Sequence, residues 1–239
     1  GKKTEIDSSK TEETHAEPLT PGQQKQIATL KSSLKNATTE ASQALALEKL
    51  MRAFMEISKY DSAATYAGQF SDSHPGISHV LRAGQAYFEA QAYAINSRKA
   101  SSMGEKARIY FEKALTQDPN NLLVKTNLAM TYVDTPTPMK GIMLLREVIE
   151  QEPTYIPALF NLGILSIKSN QFGKGQERFA QILKLDPNNY KAALNLGFCL
   201  AQLDKKEEAK KVLKQVISNS KKPEELKAAK ELLAEMQQK

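Results

Sequence analysis

The stretch Ile156–Asn189, IPALFNLGILSIKSNQFGKGQERFAQILKLDPNN, decides the fold of this chain. The same pattern of small and apolar residues returns in the segment directly upstream, Leu122–Tyr155, and in the segment directly downstream, Tyr190–Pro223. Within each unit the apolar residues recur every three to four positions, which is the spacing of one face of a helix. A fixed period of this length with helical spacing predicts stacked helical hairpins.

The remainder of the chain divides around these units. Residues 1–19 are rich in Ser, Thr, Glu and Lys, and such a composition predicts a flexible tail or tether. Residues 20–239 are expected to form one all-α domain, because every segment in it carries helical periodicity. The predicted segments are an N-terminal helix at 20–36, a degenerate repeat at about 44–76, repeats at about 77–121, 122–155, 156–189 and 190–223, and a capping helix at 224–238.

One unit is longer than the period. The repeat at 77–121 exceeds its neighbours, and the extra residues are Ala92–Met103. We expect this insertion to lengthen the first helix of the unit by two or more turns, with a loop around Ser101–Gly104. In the next unit Pro136 and Pro138 predict an early end of the first helix, because residues that precede proline avoid helical geometry.

Composition excludes several classes of protein. The single cysteine, Cys199, excludes an internal disulfide framework and a cysteine-based zinc site, and a buried inert thiol is expected there. No run of about 18 or more apolar residues is present, which is the length that a membrane-spanning helix needs. The net charge of +6 permits binding to nucleic acid or to an anionic surface. Because the lysines alternate with acids, as in Lys205–Glu208, this remains only a weak alternative.

Two short motifs carry a family resemblance. DPNN occurs at Asp118–Asn121 and at Asp186–Asn189, and NLG occurs at Asn161–Gly163 and at Asn195–Gly197. With the repeat period, these residues resemble the tetratricopeptide repeat family. The resemblance implies a right-handed α-solenoid of helical hairpins with a C-terminal capping helix. It also implies that the first helix of each hairpin lines a concave groove.

The repeats depart from the family pattern at a few positions. Ser166 and Leu200 occupy the place where the family usually has tyrosine, and no unit has the usual tryptophan. Gly141 and Gly175 replace the usual small alanine. Small residues at such positions, including Gly163, are expected to let paired helices approach closely.

The candidate binding site is a ladder of three asparagines, Asn127, Asn161 and Asn195, each the sixth residue of its unit. A side-chain amide both donates and accepts hydrogen bonds, which suits capture of an extended peptide backbone. The alternative is that these amides only satisfy local hydrogen bonds. The other residues predicted to line the peptide-binding groove are Arg82, Met130, Phe160, Ile164, Lys191, Leu194 and Phe198. For Phe198, packing against the capping helix is as strong an interpretation as a position in the groove. Arg82 and Lys49 occupy the ladder position in the first two units, which predicts that the N-terminal end of the groove favours acidic ligands.

Other site types find no support in the sequence. No Ser-His-Asp order, glycine-rich phosphate loop or pair of catalytic acids is recognisable, so we expect no enzyme activity, cofactor or small-molecule substrate. His15, His74 and His79 have no accompanying carboxylate or cysteine cluster, so no metal site is expected. Tetratricopeptide co-chaperones bind acidic chaperone tails through a basic clamp. That clamp is not assembled here, because its positions hold Leu81, Gln85, Thr126, Phe160 and Leu194.

These observations predict a non-catalytic scaffold that binds a peptide or protein segment of unknown identity in the concave groove. One alternative is a structural or assembly subunit that oligomerises through the convex face or the terminal helix. The chain begins with Gly1, and its tail resembles that of bacterial tetratricopeptide proteins anchored by one N-terminal helix. We therefore expect a periplasmic array tethered to the membrane upstream of residue 1, with a cytoplasmic location as the alternative.

Overall fold

The computed structural model describes residues 18–238, which fold into twelve α-helices. These are α1 (Pro21–Asn36), α2 (Glu40–Glu56), α3 (Tyr60–Ser73), α4 (Ile77–Ala92), α5 (Ser97–Gln117), α6 (Leu122–Thr131), α7 (Pro138–Gln151), α8 (Ile156–Lys168), α9 (Phe172–Leu185), α10 (Tyr190–Gln202), α11 (Lys206–Asn219) and α12 (Pro223–Gln238). Thr20 caps α1, since its hydroxyl accepts a hydrogen bond from the Gln23 amide at 3.2 Å.

The helices stack as a solenoid. Each helix packs against the next one in the chain, and α4, α6, α8, α10 and α12 also touch one another in succession. These even-numbered helices from α4 to α10 are the first helices of the four regular units, and α12 covers the end of the last unit. The predicted all-α solenoid of helical hairpins is confirmed.

Glycines allow the two helices of a hairpin to approach closely. A Cβ atom built on Gly163 would lie 2.6 Å from the Phe179 ring, and one on Gly197 would lie 2.7 Å from Leu213. Both partner side chains are fully buried. The expected role of Gly163 is confirmed, because any larger residue there would displace the side chain that fills the hairpin.

The insertion lengthens a different helix from the one predicted. α4 ends at Ala92, and α5 spans 21 residues, whereas α3, α7, α9 and α11 span 14 each. The predicted loop at Ser101–Gly104 is helical, so that prediction is wrong. The reason is Asn96, whose side-chain oxygen accepts a hydrogen bond from the Lys99 amide at 2.8 Å and begins the second helix early.

Three of the turns between hairpin helices contain a residue with left-handed backbone geometry. Ser58, Asn170 and Asp204 have φ values of 59°, 57° and 60°. In each turn the following amide donates to the carbonyl five residues earlier, at 2.8, 2.8 and 2.9 Å. This is the Schellman ending of a helix, a position that glycine usually occupies. Asparagine and aspartate tolerate it better than serine does.

We expect Ser58→Gly to stabilise the protein by about 0.5–1 kcal/mol. Glycine removes the steric cost of a positive φ, and its greater freedom in the unfolded chain offsets only part of that gain. Chemical denaturation measures the difference. Ser101→Gly, at an exposed position within α5, is the matched control and is expected to lose about 0.5–1 kcal/mol. A loss of stability at both positions would contradict the role assigned to Ser58.

The core consists of successive clusters along the solenoid. A large cluster joins α1 to α6, and smaller ones join α6 to α8, α8 to α10 and α10 to α12. Packing between consecutive helices is sparsest where α7 meets α8. The core is therefore continuous along the chain but thinnest near the middle.

The predicted flexible tail spans residues 1–19, and the predicted membrane tether lies upstream of it. Residues 1–17 lie outside the described residues, so both remain predictions. Between residues 18 and 238, no helix combines the length and the apolar character needed to cross a membrane.

Candidate functional site

The structure places the three ladder asparagines at equivalent points of neighbouring helices. Asn127, Asn161 and Asn195 lie on α6, α8 and α10, and each is the sixth residue of its helix. All three side chains are half-buried. Since α8 contacts both α6 and α10, the three amides lie on adjacent helices along the solenoid.

The three amides differ in their hydrogen bonds. The Asn195 side chain donates to the Lys191 carbonyl oxygen of its own helix at 2.8 Å. Within residues 18–238, the side chains of Asn127 and Asn161 make no hydrogen bond to another protein group. Two of the three amides therefore retain both donor and acceptor capacity.

Apolar side chains lie next to these amides on α8 and α10. Phe160 and Ile164 on α8 and Leu194 on α10 are half-buried and pack against the core clusters. The Phe160 ring contacts the Phe179 ring edge to face, with centroids 5.5 Å apart. These residues present part of their surface while the rest is held by the core, which fixes their orientation.

Phe198 lies at the C-terminal end of the array. It borders a recess of about 260 Å³ together with Leu232 and Met236 of α12. Its ring also meets Phe172 edge to face, with centroids 6.0 Å apart. Phe198 therefore lies between α9 and the capping helix α12, and its place in a peptide-binding groove stays a prediction.

Two further predicted groove residues, Met130 and Lys191, each border a recess of their own. Met130 borders a recess of about 450 Å³ among α4, α5, α6 and the loop that follows α6. Lys191 is exposed at the start of α10, beside a recess that it shares with Lys222 and Glu225. Met130 is one helical turn from Asn127 and Lys191 is one helical turn from Asn195, so both residues lie close to ladder asparagines along their helices.

Arg82 is already engaged within the protein. Its guanidinium donates two hydrogen bonds to the Glu48 carboxylate, at 2.7 and 3.1 Å. Donation of these hydrogen bonds to Glu48 raises the pKa of Arg82. Glu48 balances the charge of Arg82, whereas Lys49 is exposed, so the prediction that the N-terminal end of the groove favours acidic ligands now depends on Lys49 and stays a prediction.

Cysteine and histidine are the residue types most often used as nucleophiles or metal ligands, and their burial and hydrogen bonds decide whether they can take such roles here. Cys199 is fully buried, and burial raises the pKa of its thiol to about 11, which confirms the expected inert thiol. His79 forms a 2.9 Å hydrogen bond with Glu40, and this bond lowers the pKa of that carboxyl. Across residues 18–238 no group of three or more His, Cys, Asp or Glu side chains is arranged to hold a metal ion.

Sequence reasoning missed one recess. A cavity of about 280 Å³ lies among α7, α8 and α9 beside Ser166, bordered by Arg146, Lys174 and Arg178. The replacement of tyrosine by Ser166 was visible in the sequence. The signal that could have pointed to the cavity is a lysine that recurs with the repeat period, at Lys140 and Lys174.

Comparison with known sequences identifies the repeats. The profile described as tetratricopeptide repeat matches residues 166–233. The Hsp70-Hsp90 organizing protein of Triticum aestivum is 21% identical over 126 residues, which cover 51% of this chain and 22% of that protein. The chain thus spans about a fifth of the length of this curated relative.

Solved structures share the architecture. A tetratricopeptide repeat protein from Parabacteroides merdae ATCC 43184 superposes with a TM-score of 0.63 at 14% identity, covering 89% of this chain and 79% of that one. A thermophilic protein of the same repeat class from Thermus thermophilus gives 0.58 at 15% identity, covering 73% and 88%. The profile match thus identifies tetratricopeptide repeats at residues 166–233, and the two solved structures show that the chain shares the solenoid fold of proteins with that repeat.

Proposed function

We propose that this protein is a non-catalytic scaffold that holds a segment of a partner protein along α6, α8 and α10. The segment lies across the three first helices, and its backbone bonds to the side-chain amides of the asparagine ladder. Backbone contacts of this kind give affinity, and neighbouring apolar contacts give selectivity.

The observation that carries the proposal is the state of two amides. Asn127 and Asn161 are half-buried on adjacent helices and make no hydrogen bond within the described residues. A partly buried polar group gains from a partner that replaces lost water. A peptide backbone supplies a donor and an acceptor at each residue, which matches the capacity of an amide side chain.

The apolar neighbours favour a ligand with hydrophobic side chains. Phe160, Ile164 and Leu194 are held by the core on one side and present their remaining surface beside the ladder. Removing such apolar surface from water favours formation of a complex. A segment with apolar residues interleaved with polar ones would use both kinds of contact.

The wheat relative is named as an organiser of Hsp70 and Hsp90. We do not extend that ligand to this chain. The positions of the basic clamp hold other residue types, including Leu81, Gln85 and Thr126. Thr126 is buried and its hydroxyl donates to the Leu122 carbonyl oxygen at 2.7 Å, so it has no capacity left for a carboxylate.

The test is affinity capture with the intact chain and with a variant in which Asn127, Asn161 and Asn195 are all alanine. Each amide is expected to contribute about 1 kcal/mol to binding, so the triple variant should weaken capture roughly 100-fold. Captured proteins are identified by mass spectrometry, and the affinity of the captured segment is then measured by calorimetry.

A matched control carries alanine at three exposed asparagines outside the ladder, Asn36, Asn120 and Asn188. This control is expected to capture the same proteins as the wild type. Circular dichroism checks that both variants are folded. Unchanged capture by the folded ladder variant would overturn the proposal, whereas equal loss in both variants would show that the effect is not specific to the ladder.

A further inference from the structure

A lysine covers an aromatic ring at the same place in two successive units. In the hairpin of α4 and α5, the Lys106 amine lies 5.6 Å from the centre of the Tyr87 ring. In the hairpin of α6 and α7, the Lys140 amine lies 5.8 Å from the centre of the Tyr132 ring. The ring belongs to the first helix in the case of Tyr87 and to the residue that caps the first helix in the case of Tyr132, and the cation comes from the second helix. The attraction between them is the cation–π interaction.

The third unit keeps the lysine and lacks the ring. Lys174 follows Lys140 by one repeat period, whereas Ser166 stands one period after Tyr132. In the fourth unit both partners change, because Leu200 is buried at the ring position and Glu208 replaces the lysine. Among these four hairpins, that of α8 and α9 alone combines the lysine with an unfilled ring position.

The unfilled position is the recess of about 280 Å³ among α7, α8 and α9. Apolar side chains border it, including Ile142, Leu162 and Leu165. The Ser166 hydroxyl donates to the Leu162 carbonyl oxygen of its own helix at 2.9 Å. Its hydrogen-bond donor is therefore satisfied without a ligand. Small-molecule sites usually enclose roughly 300–1,000 Å³, so this recess suits a single side chain.

Cations surround the recess. Arg146, Lys174 and Arg178 come from α7 and α9. Within residues 18–238 none of the three has a carboxylate oxygen within 4 Å, and Glu177 is the acidic residue that borders the recess. The rim therefore favours a ligand that brings negative charge beside the group that enters.

The recess is separate from the asparagine ladder. Ser166 follows Asn161 by five residues, which turns its side chain about 140° around the axis of α8. A ligand in the recess therefore meets a different side of α8 from a segment that bonds to Asn161.

We propose that this recess binds a phenylalanine or tyrosine side chain of a partner polypeptide, at a point where aspartate or glutamate residues flank the ring. The ring takes the place that Tyr132 fills in the preceding unit, under Lys174 as Tyr132 lies under Lys140. The flanking carboxylates pair with Arg146 and Arg178, which can form charge-assisted hydrogen bonds with them. The site thus recognises an aromatic residue that has acidic residues on either side of it in the sequence.

The test uses two blocked pentapeptides, Asp-Glu-Phe-Glu-Asp and Asp-Glu-Ala-Glu-Asp, titrated into the full chain and followed by NMR. The phenylalanine peptide is expected to bind at least ten times more tightly and to shift the backbone signals of Ser166, Ser169 and Gln171. Equal binding of the two peptides, or no saturable shift at these residues up to about 10 mM peptide, would overturn the proposal.

Two lysine variants supply a matched comparison. Lys174→Ala removes one cation from the border of the recess, whereas Lys140→Ala removes one of the two cations, the other being Arg108, that lie over a ring already present. We expect Lys174→Ala to weaken the phenylalanine peptide several-fold and Lys140→Ala to leave its affinity unchanged. Equal effects of the two variants would also overturn the proposal.

Filling the recess from within the chain gives a third readout. Ser166→Tyr places a ring under Lys174, so it is expected to keep the melting temperature and to weaken the peptide at least tenfold. A folded Ser166→Tyr variant that still binds would count against the site. If this variant does not fold, the comparison of Lys174→Ala with Lys140→Ala decides. The variant with alanine at Asn127, Asn161 and Asn195 is expected to bind the phenylalanine peptide as the wild type does. A negative result for the recess would therefore not count against the proposed binding of a segment at the asparagine ladder.

Discussion

Replacing Gly141 with alanine is expected to destabilise the solenoid by about 3 kcal/mol. Gly141 lies in α7 directly against α6, and a Cβ atom there would overlap the backbone carbonyl oxygen of Ala129. A side-chain neighbour can rotate away, but a backbone carbonyl within a helix cannot. Overpacking of a close contact costs about 1–3 kcal/mol and occasionally more, and a backbone clash belongs at the upper end.

Thermal and chemical denaturation measure this effect, and a fall in melting temperature of roughly 6–12 °C is expected for a chain of this size. Gly173→Ala is the control, because no atom lies within 4 Å of a Cβ built on Gly173. That variant is expected to be neutral or more stable by up to about 1 kcal/mol, since alanine favours the helix. A Gly141→Ala protein as stable as the wild type would show that α6 and α7 separate easily.

Replacing Phe179 with alanine is expected to remove about 3–5 kcal/mol of stability, because large-to-small changes of buried aromatic residues have costs in this range. Phe179 is fully buried between α8 and α9, against Gly163 and the ring of Phe160. Truncation leaves a cavity beside a glycine, which has no side chain to fill it.

The comparison is Phe172→Ala on the same helix. Phe172 is half-buried, so its truncation removes less buried area and is expected to cost about half as much. Equilibrium unfolding of both variants, followed by circular dichroism, gives the two values. Similar losses at the two positions would contradict the view that the Gly163–Phe179 contact organises this hairpin.

The period was enough to predict the hairpin array, because helix starts and glycine contacts repeat with it. Ile156 begins α8 and Tyr190 begins α10, so residues six places into each unit reach equivalent positions. Gly163 could likewise be assigned to a close helix contact from its spacing alone. These features depend on local chemistry that each unit carries in its own sequence.

Two kinds of feature could not be predicted from the period: the choice between two possible local structures, and contacts between side chains of different units. The sequence of the insertion predicted a continued first helix, whereas in the structure the Asn96 side chain caps a new helix instead. The pairing of Arg82 with Glu48 depends on how α2 and α4 are staggered. The recess beside Ser166 depends on three helices from two units, so its cations were visible in the sequence but their common location was not.

The thin packing between α7 and α8 has a mechanical consequence. A rod with one weak joint bends at that joint, so thermal bending of this solenoid should concentrate there. Asn127 lies on one side of the joint and Asn161 and Asn195 on the other, so bending changes the span between the first amide and the other two. For the proposed partner segment, the angle at this joint would set the length of chain that reaches all three amides.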